Sequence, residues 1–341
     1  MLILMPRNSK SAVWNATLRH VELIAQSDPQ VQLICHKKDA VYIDDFTIIT
    51  YSTFLERAWK IWARRRESLF VISSRQMCSI PWVFLMRQID VCYWIQGLVS
   101  EESYLRNRSR LRRKVLQIME KIAFLRADKI VYVSESMKNF IETRMGKNHG
   151  TAIVIPCASD FQCNEVGPRE KRIVYVGGIS VWQRLDKCAD IFNSIHEEDP
   201  DYSLDFITEE PDLAWNVINK AKITQAAKER IRVFSISNRR CLAQALTEYR
   251  WGFLLRDESP VNLVSSPIKF AEYLSCGVNV IVSDSIPHLA GQVRDFGSGV
   301  VVDNTWKIPK LPNASAEASY LHYAQEFNVE ILAERYAGLL G

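Results

Sequence analysis

The 341-residue chain is short of the residues that make unusual polymers. Glycine (13) and proline (12) are too few for a collagenous or low-complexity chain. No run of about 18 apolar residues occurs, so the pattern holds no membrane-spanning helix. The opening MLILMPRNSK has a short apolar run, but no basic region precedes it and no small-residue cleavage site follows, so it does not read as a signal peptide. The eight cysteines form no C-x-x-C pair, and no His/Cys group has zinc spacing, so no metal site is expected. Several sit inside apolar runs, where a free thiol acts as a small hydrophobe, and they read as reduced thiols of a cytoplasmic protein. Walker and G-x-G-x-x-G loops are missing. The six histidines, His20, His36, His149, His196, His288 and His322, are scattered and read as structural.

What remains is an ordinary globular composition, with 48% apolar and 24% charged residues. The length suggests two domains. Net charge is +4 but uneven: residues 1–165 carry 24 Lys/Arg against 16 Asp/Glu, and the remainder 19 against 23. A basic half suggests an anionic partner for that half.

The second half alternates apolar runs with helical patterns. The runs are Arg172–Val176, Leu204–Ile207, Ile231–Phe234, Gly252–Leu255, Asn279–Val282 and Val300–Val302. Helices are expected over Leu185–Ile195, Leu213–Ala226, Arg240–Tyr249, Pro267–Cys276 and Pro287–Asp295. The first half offers strands at Leu2–Met5, Val31–His36, Thr47–Ile49, Leu69–Ile72, Val91–Ile95, Lys129–Val133 and Thr151–Ile155, with helices at Trp14–Gln26 and Ser109–Arg126. Strands alternating with helices imply βαβ units and parallel sheets. The expected architecture is α/β: two Rossmann-like domains, 1–165 and 166–314, facing across a cleft. Cys157–Lys171 reads as a polar linker. A helical tail, 315–341, is expected to pack back on the first domain.

The most informative stretch is Ser265-Ser266-Pro267-Ile268-Lys269-Phe270-Ala271-Glu272-Tyr273-Leu274-Ser275-Cys276-Gly277. Ser266 suits an N-cap, Pro267 the first helical position and Gly277 the turn that ends the helix. A helix N-terminus attracts phosphate, and Lys269 adds a full charge there. Glu272, three residues on, can accept two hydrogen bonds from a vicinal diol such as a ribose. Taken alone, the pair also reads as a surface i,i+3 ion pair.

This stretch, with the strand Val278–Asp284 after it, resembles the donor-site helix of GT-B glycosyltransferases of the retaining family 4 group. The resemblance extends to three further segments: Val174-Tyr175-Val176-Gly177-Gly178-Ile179 with Trp182–Lys187, Asp128–Ser136, and Ile155-Pro156-Cys157. Together they span roughly residues 90–310. The resemblance implies that Glu272 holds the nucleotide ribose. It also implies that Gly177 and Gly178 make the turn under the donor diphosphate, with Arg184 or Lys187 supplying charge there. Lys269 is expected to stabilise the leaving group. The loop 256–265 offers Arg256, Asn262 and the backbone N–H groups of Val264 and Ser265. Val264 stands where the family carries a sugar-contacting acid, eight positions before Glu272. Tyr93–Glu102 resembles the acceptor-side segment of bacterial surface-polysaccharide transferases. Gln96 stands at a frequent histidine position, where it can orient but not titrate. Glu101 and Glu102 read either as acceptor-activating carboxylates or as caps of the next helix.

The function implied is transfer of a sugar from a nucleotide-diphosphate sugar, UDP- or GDP-linked, to a saccharide or lipid-linked acceptor in surface-polysaccharide biosynthesis. The donor is a substrate, and no cofactor is expected. Two other classes stay open: a non-catalytic GT-B-like binding subunit, suggested by Val264 and Gln96, and a nucleotide-sugar epimerase. The dense run Arg106–Lys114 reads either as a solvated helix face or as a contact with an anionic membrane, which would make the protein peripheral on the inner membrane face. Trp59 and Trp62 with Arg64–Arg66 form a second basic-aromatic patch. No nucleic-acid recognition motif is present, so a nucleic acid is not an expected partner.

Overall fold

The computed structural model describes residues 1–9, 11–40, 45–80, 89–147, 150–161, 163, 169–308 and 310–340. His149 and part of the expected linker, 162 and 164–168, lie outside the described residues. The chain forms two compact units: Met1–Ala158 with Val264–Ser266 and Val329–Gly341, and Ser159–Leu263 with Pro267–Asn328.

The first unit runs β1 (Leu2–Leu4), α1 (Ala12–Ala25), β2 (Gln32–His36), β3 (Thr47–Tyr51), α2 (Phe54–Ala63), β4 (Leu69–Val71) and α3 (Ser74–Cys78). It continues through β5 (Val91–Ile95), α4 (Val99–Asn107), α5 (Arg110–Arg126), β6 (Lys129–Tyr132), α6 (Glu135–Met145) and β7 (Thr151–Val154). The strands form one parallel sheet in the order β3-β2-β1-β4-β5-β6-β7. The central strands are buried on both faces, and this is why they read in the sequence as continuous apolar runs. Ser11, Thr53, Ser73, Ser109 and Ser134 each cap a following helix by accepting a first-turn backbone N–H.

The second unit runs β8 (Glu170–Val176), α7 (Leu185–Glu198), β9 (Ser203–Ile207), α8 (Pro211–Ile218), α9 (Gln225–Glu229), β10 (Ile231–Phe234), α10 (Arg239–Leu246) and β11 (Tyr249–Leu254). Then come α11 (Pro260–Leu263), α12 (Ile268–Ser275), β12 (Asn279–Ser283), α13 (Pro287–Phe296), β13 (Gly299–Val302) and α14 (Ala316–Glu326). Its parallel sheet has the order β10-β9-β8-β11-β12-β13. The strand order reverses between β8 and β11. In such sheets ligands bind beyond the carboxyl ends of the strands at the reversal.

Three expectations need correction. The helix expected over Leu213–Ala226 is two, because Thr224 caps a new helix and its N–H and hydroxyl are both taken by the Asn193 side chain. The tail is likewise two helices. The first, α14, belongs to the second unit; α15 (Val329–Leu340) packs on α1 in the first. Ser266 does not cap α12: Pro267 holds the cap position without a side-chain bond, and the Ser266 hydroxyl accepts the Cys157 N–H instead (3.3 Å). Gly277 does end that helix in the left-handed region (φ +67°). A Cβ there would also strike Arg169 and Tyr320. Near the end of the expected linker, Arg169 is buried and donates to the carbonyls of Tyr249 (2.8 Å) and Cys276 (2.5 Å).

Three histidines are held neutral by burial. His20 lies on the Trp94 ring (3.9 Å) with Nδ1 2.6 Å from the Tyr336 hydroxyl of α15, and burial pushes its pKa down to about 3. His322 stacks on Phe296 (4.1 Å), and burial lowers it, like His288, to about 4. Their folded values lie below the unfolded one, so the unfolded chain takes up protons first. The stability they contribute is complete above about pH 6.5 and is lost as pH falls toward 4. At pH 5 each is expected to cost about 2 kcal/mol. Thermal unfolding between pH 7 and 5 checks this: the midpoint should fall, and His322→Phe should flatten part of the slope. A pH-independent midpoint would contradict it.

Candidate functional site

In the second unit the loops leaving β8 and β11 hold Gly177 and Arg256, and α12 follows β11. Lys269, on the first turn of α12, is 8% exposed and donates to the Gln183 side-chain oxygen (2.8 Å). Its ammonium also lies 4.4 Å from the centre of the Tyr175 ring, a cation–π contact. The Tyr175 hydroxyl lies against the same Gln183 oxygen and against the Gly178 carbonyl (2.7 Å), so the glycine turn, Gln183 and Lys269 form one cluster. Gly177 adopts φ +129°, and a Cβ there would come 2.9 Å from the Lys269 ammonium nitrogen. Both conformation and space call for glycine.

Arg256 is also buried; its backbone N–H bonds Ser283 Oγ (2.8 Å), and its guanidinium donates to the Leu255 carbonyl (3.3 Å). Neither Lys269 nor Arg256 has an ion-pair partner among the described residues. Burial pushes the Lys269 ammonium well down, and the Arg256 charge pushes it further. Arg256 thus lies near enough to act on the Lys269 ammonium, and two buried cations are costly unless an anion completes them.

Glu272, one turn on, is buried as well, so the reading of Lys269 and Glu272 as a surface ion pair is overturned. Its partner is Arg239 of α10 (2.8 Å), which also pairs with Asp160 and lies over the Phe161 ring. Burial raises the Glu272 pKa, and Arg239 opposes this. The carboxylate is thus held by a cation that the sequence spacing does not show.

Other expected residues are placed differently. Arg184, in the left-handed region (φ 48°), is ion-paired with Asp186 (2.6 Å) and Asp257 (2.5 Å), and Lys187 is paired with Asp190 (2.9 Å). Their charges are already met within the unit. Asn262 is buried and donates to the Asp257 carbonyl (2.8 Å), bracing the loop after β11. Val264 and Ser265 count with the first unit; Val264 is fully buried in its core and its carbonyl accepts the Ser134 hydroxyl (2.8 Å).

Gln96 follows β5 in the first unit, with its amide nitrogen buried and without a partner among the described residues. At Gly97 a Cβ would strike a Glu102 carboxylate oxygen, so Glu102 folds over this turn. Burial raises its pKa. Glu101 does not cap α4; it pairs with Arg113 (2.9 Å) and Arg144 (3.3 Å). Among the described residues no group of three or more His, Cys, Asp or Glu could hold a metal ion.

No protein-family model matches the chain. No curated protein matches it either. Solved structures do. Anabaena Alr3699/HepE in complex with UDP matches with a TM-score of 0.73 and 10% identity, over 99% of this chain and 98% of that one. Sucrose-phosphate synthase from Thermosynechococcus elongatus matches with a TM-score of 0.71 and 13% identity, over the same shares. The fold is GT-B. S. aureus TarM in complex with fondaparinux, alpha-GlcNAc-glycerol and UDP matches with a TM-score of 0.63 and 11% identity, over 84% of this chain. The chain spans 59% of the TarM length and 60% of that of the matched chain in the GtfA/B complex.

The anion site carries its own test. Lys269→Met removes a buried, unpaired charge and keeps most of the volume. Without added ligand the variant is expected to unfold at a higher temperature than the wild type, by the equivalent of about 1–3 kcal/mol. A lower midpoint would mean that the ammonium is already compensated in the free protein.

Proposed function

We propose that the protein is a glycosyltransferase that moves a sugar from a UDP- or GDP-linked donor to a saccharide or lipid-linked acceptor in surface-polysaccharide biosynthesis. The observation that carries this reading is the buried pair Lys269 and Arg256 at the strand-order reversal of a GT-B fold. A nucleotide-diphosphate sugar supplies the anion such a pair needs, and a diol for Glu272. Three matched structures carry such groups in their names: HepE with UDP, HepE with UDP-glucose, and TarM with UDP.

In this reading the diphosphate lies over the Gly177–Gly178 turn. Negative charge on its outer oxygen grows as the sugar bond breaks, and Lys269 and Arg256 meet that charge without reorganising. Arg184 shapes the site through Asp257. Glu272 exchanges part of its bond to Arg239 for the ribose hydroxyls. The first unit takes the acceptor, with Gln96 orienting it and Glu102 a nearby carboxylate of raised pKa. The transfer retains anomeric configuration and draws its charge stabilisation from these side chains rather than from a metal. The protein works in the cytoplasm, and the basic run Arg106–Lys114 brings it to an anionic membrane.

A thermal-shift screen of nucleotides and nucleotide sugars tests the reading, because a ligand at about 100 times its dissociation constant adds about 2.7 kcal/mol to stability. UDP or GDP and one of their sugars should raise the midpoint. Glu272→Gln should weaken donor binding roughly 10- to 100-fold, through loss of a charged acceptor contributing about 1.5–3 kcal/mol. No shift with any nucleotide would end the reading. Donor binding without transfer or donor hydrolysis would favour a non-catalytic binding subunit.

A further inference from the structure

Helix α5 carries an exposed apolar ridge that no described residue of the first unit covers. Its buried face is Leu116, Glu120, Ala123 and Phe124. On the opposite side Leu111 (76% exposed), Val115, Ile118 (60%), Ile122 and Leu125 (60%) stand in solvent. Their spacing of four, three, four and three residues makes one continuous stripe along the helix. Such a stripe is the seam of a helix pair or the inserted face of an interfacial helix, and its flanks decide between the two. Arg110, Lys114 and Lys121 line one side and Arg112 the other, all exposed and none in an ion pair among the described residues. Pairing with a second copy would bring these cationic flanks together in either orientation. The flanks therefore call for an anionic partner.

A second helix extends the surface. On α2, Leu55 (77% exposed), Trp59 (63%) and Trp62 stand in solvent at i, i+4 and i+7, with the Arg65 guanidinium 4.7 Å from the Trp62 ring. The order β3 to β6 with parallel crossovers puts α2, α3 and α5 on one side of the sheet. Contacts agree: Arg57 of α2 donates to the Ser79 hydroxyl at the end of α3 (2.7 Å), and α3 packs on α5. Two apolar ridges thus share one layer with a short helix between them. A partner helix covers one ridge, whereas a bilayer surface takes both. Tryptophan and a cationic rim are the composition of helices lying in a lipid interface.

We propose that the first unit docks on an anionic lipid bilayer by burying the α5 ridge together with the Leu55–Trp62 face of α2, with the flanking Arg and Lys side chains among the headgroups. This deepens the proposed membrane contact and rests on it, but moves its centre from the run Arg106–Lys114 to an apolar ridge. Within that run Arg113 is committed to Glu101.

Co-sedimentation of the full chain with phosphatidylcholine vesicles, with and without 30% phosphatidylglycerol, tests the docking. The wild type is expected to bind the anionic vesicles at low salt, with a blue shift of tryptophan emission. Ile118→Ser with Ile122→Ser leaves every charge in place and should lower binding at least ten-fold. Lys114→Gln with Lys121→Gln should lower it too. Wild type that ignores anionic vesicles would overturn the proposal. So would a serine variant that binds like wild type, which would leave a purely electrostatic contact. A dimer in light scattering that the serine variant abolishes would also overturn it, in favour of a second copy. The nucleotide-induced thermal shift, read on the same samples, separates this outcome from the donor reading: it should be equal in all variants, whatever the vesicles do.

Discussion

The second unit is organised around two buried basic side chains. Lys269 and Arg256 lie in the interior, and among the described residues neither has an ion-pair partner. Folding accepts that penalty because the surrounding elements over-determine the position: Gln183 and the Tyr175 ring hold the ammonium. Gly177 leaves it room. Tyr273, also on α12, accepts the Val176 N–H on its hydroxyl (3.0 Å) and ties the helix to β8. In the proposed function, cations kept dry and fixed lower the stability of the free protein and strengthen its hold on an arriving anion, since solvent does not screen them. The acidic side chains nearby are directed elsewhere, Asp257 and Asp186 to Arg184 and Glu272 to Arg239.

The same economy appears in the first unit. Its carboxylates near the end of β5 are sorted into different environments: Glu101 is saturated by arginines, Glu120 by the backbone and hydroxyl of Ser100, and Glu102 is left half-buried over Gly97. Burial raises the pKa of the last two. The opposite end of the hydropathy scale is handled as loosely as the carboxylates are tightly. Leucine, isoleucine and tryptophan stand in solvent on α5 and α2, on a unit whose interior is otherwise closed by Trp94, Phe70 and Tyr336.

Much of this was legible in the residues, and the limits are physical. Each apolar run of the sequence coincides with a strand because parallel strands buried on both faces need unbroken hydrophobicity, as in Val91–Ile95 and Asn279–Ser283. Lys269 and Glu272 could be singled out because they share a helix three residues apart. Their partners could not: Arg239 reaches Glu272 from 33 positions away, and Asp257 neutralises Arg184 from 73. The sequence shows that charges exist near a glycine turn but not which of them the fold has already neutralised. This is why Arg184 and Lys187 looked as available as Arg256. Ser266 misled for a related reason: a good capping residue is also a good acceptor for any other N–H, and Cys157 provides one.

The central claim is that the buried cation pair reads the diphosphate. Calorimetric titration of the wild type and of Lys269→Met with a nucleoside, its monophosphate and its diphosphate, using the base that the screen selects, tests this most directly. The account calls for affinity in the wild type that climbs with each phosphate, by 100-fold or more from nucleoside to diphosphate, and for a variant in which most of that preference is gone while nucleoside binding persists. Equal binding of nucleoside and diphosphate by the wild type, or an undiminished preference in the variant, would contradict it.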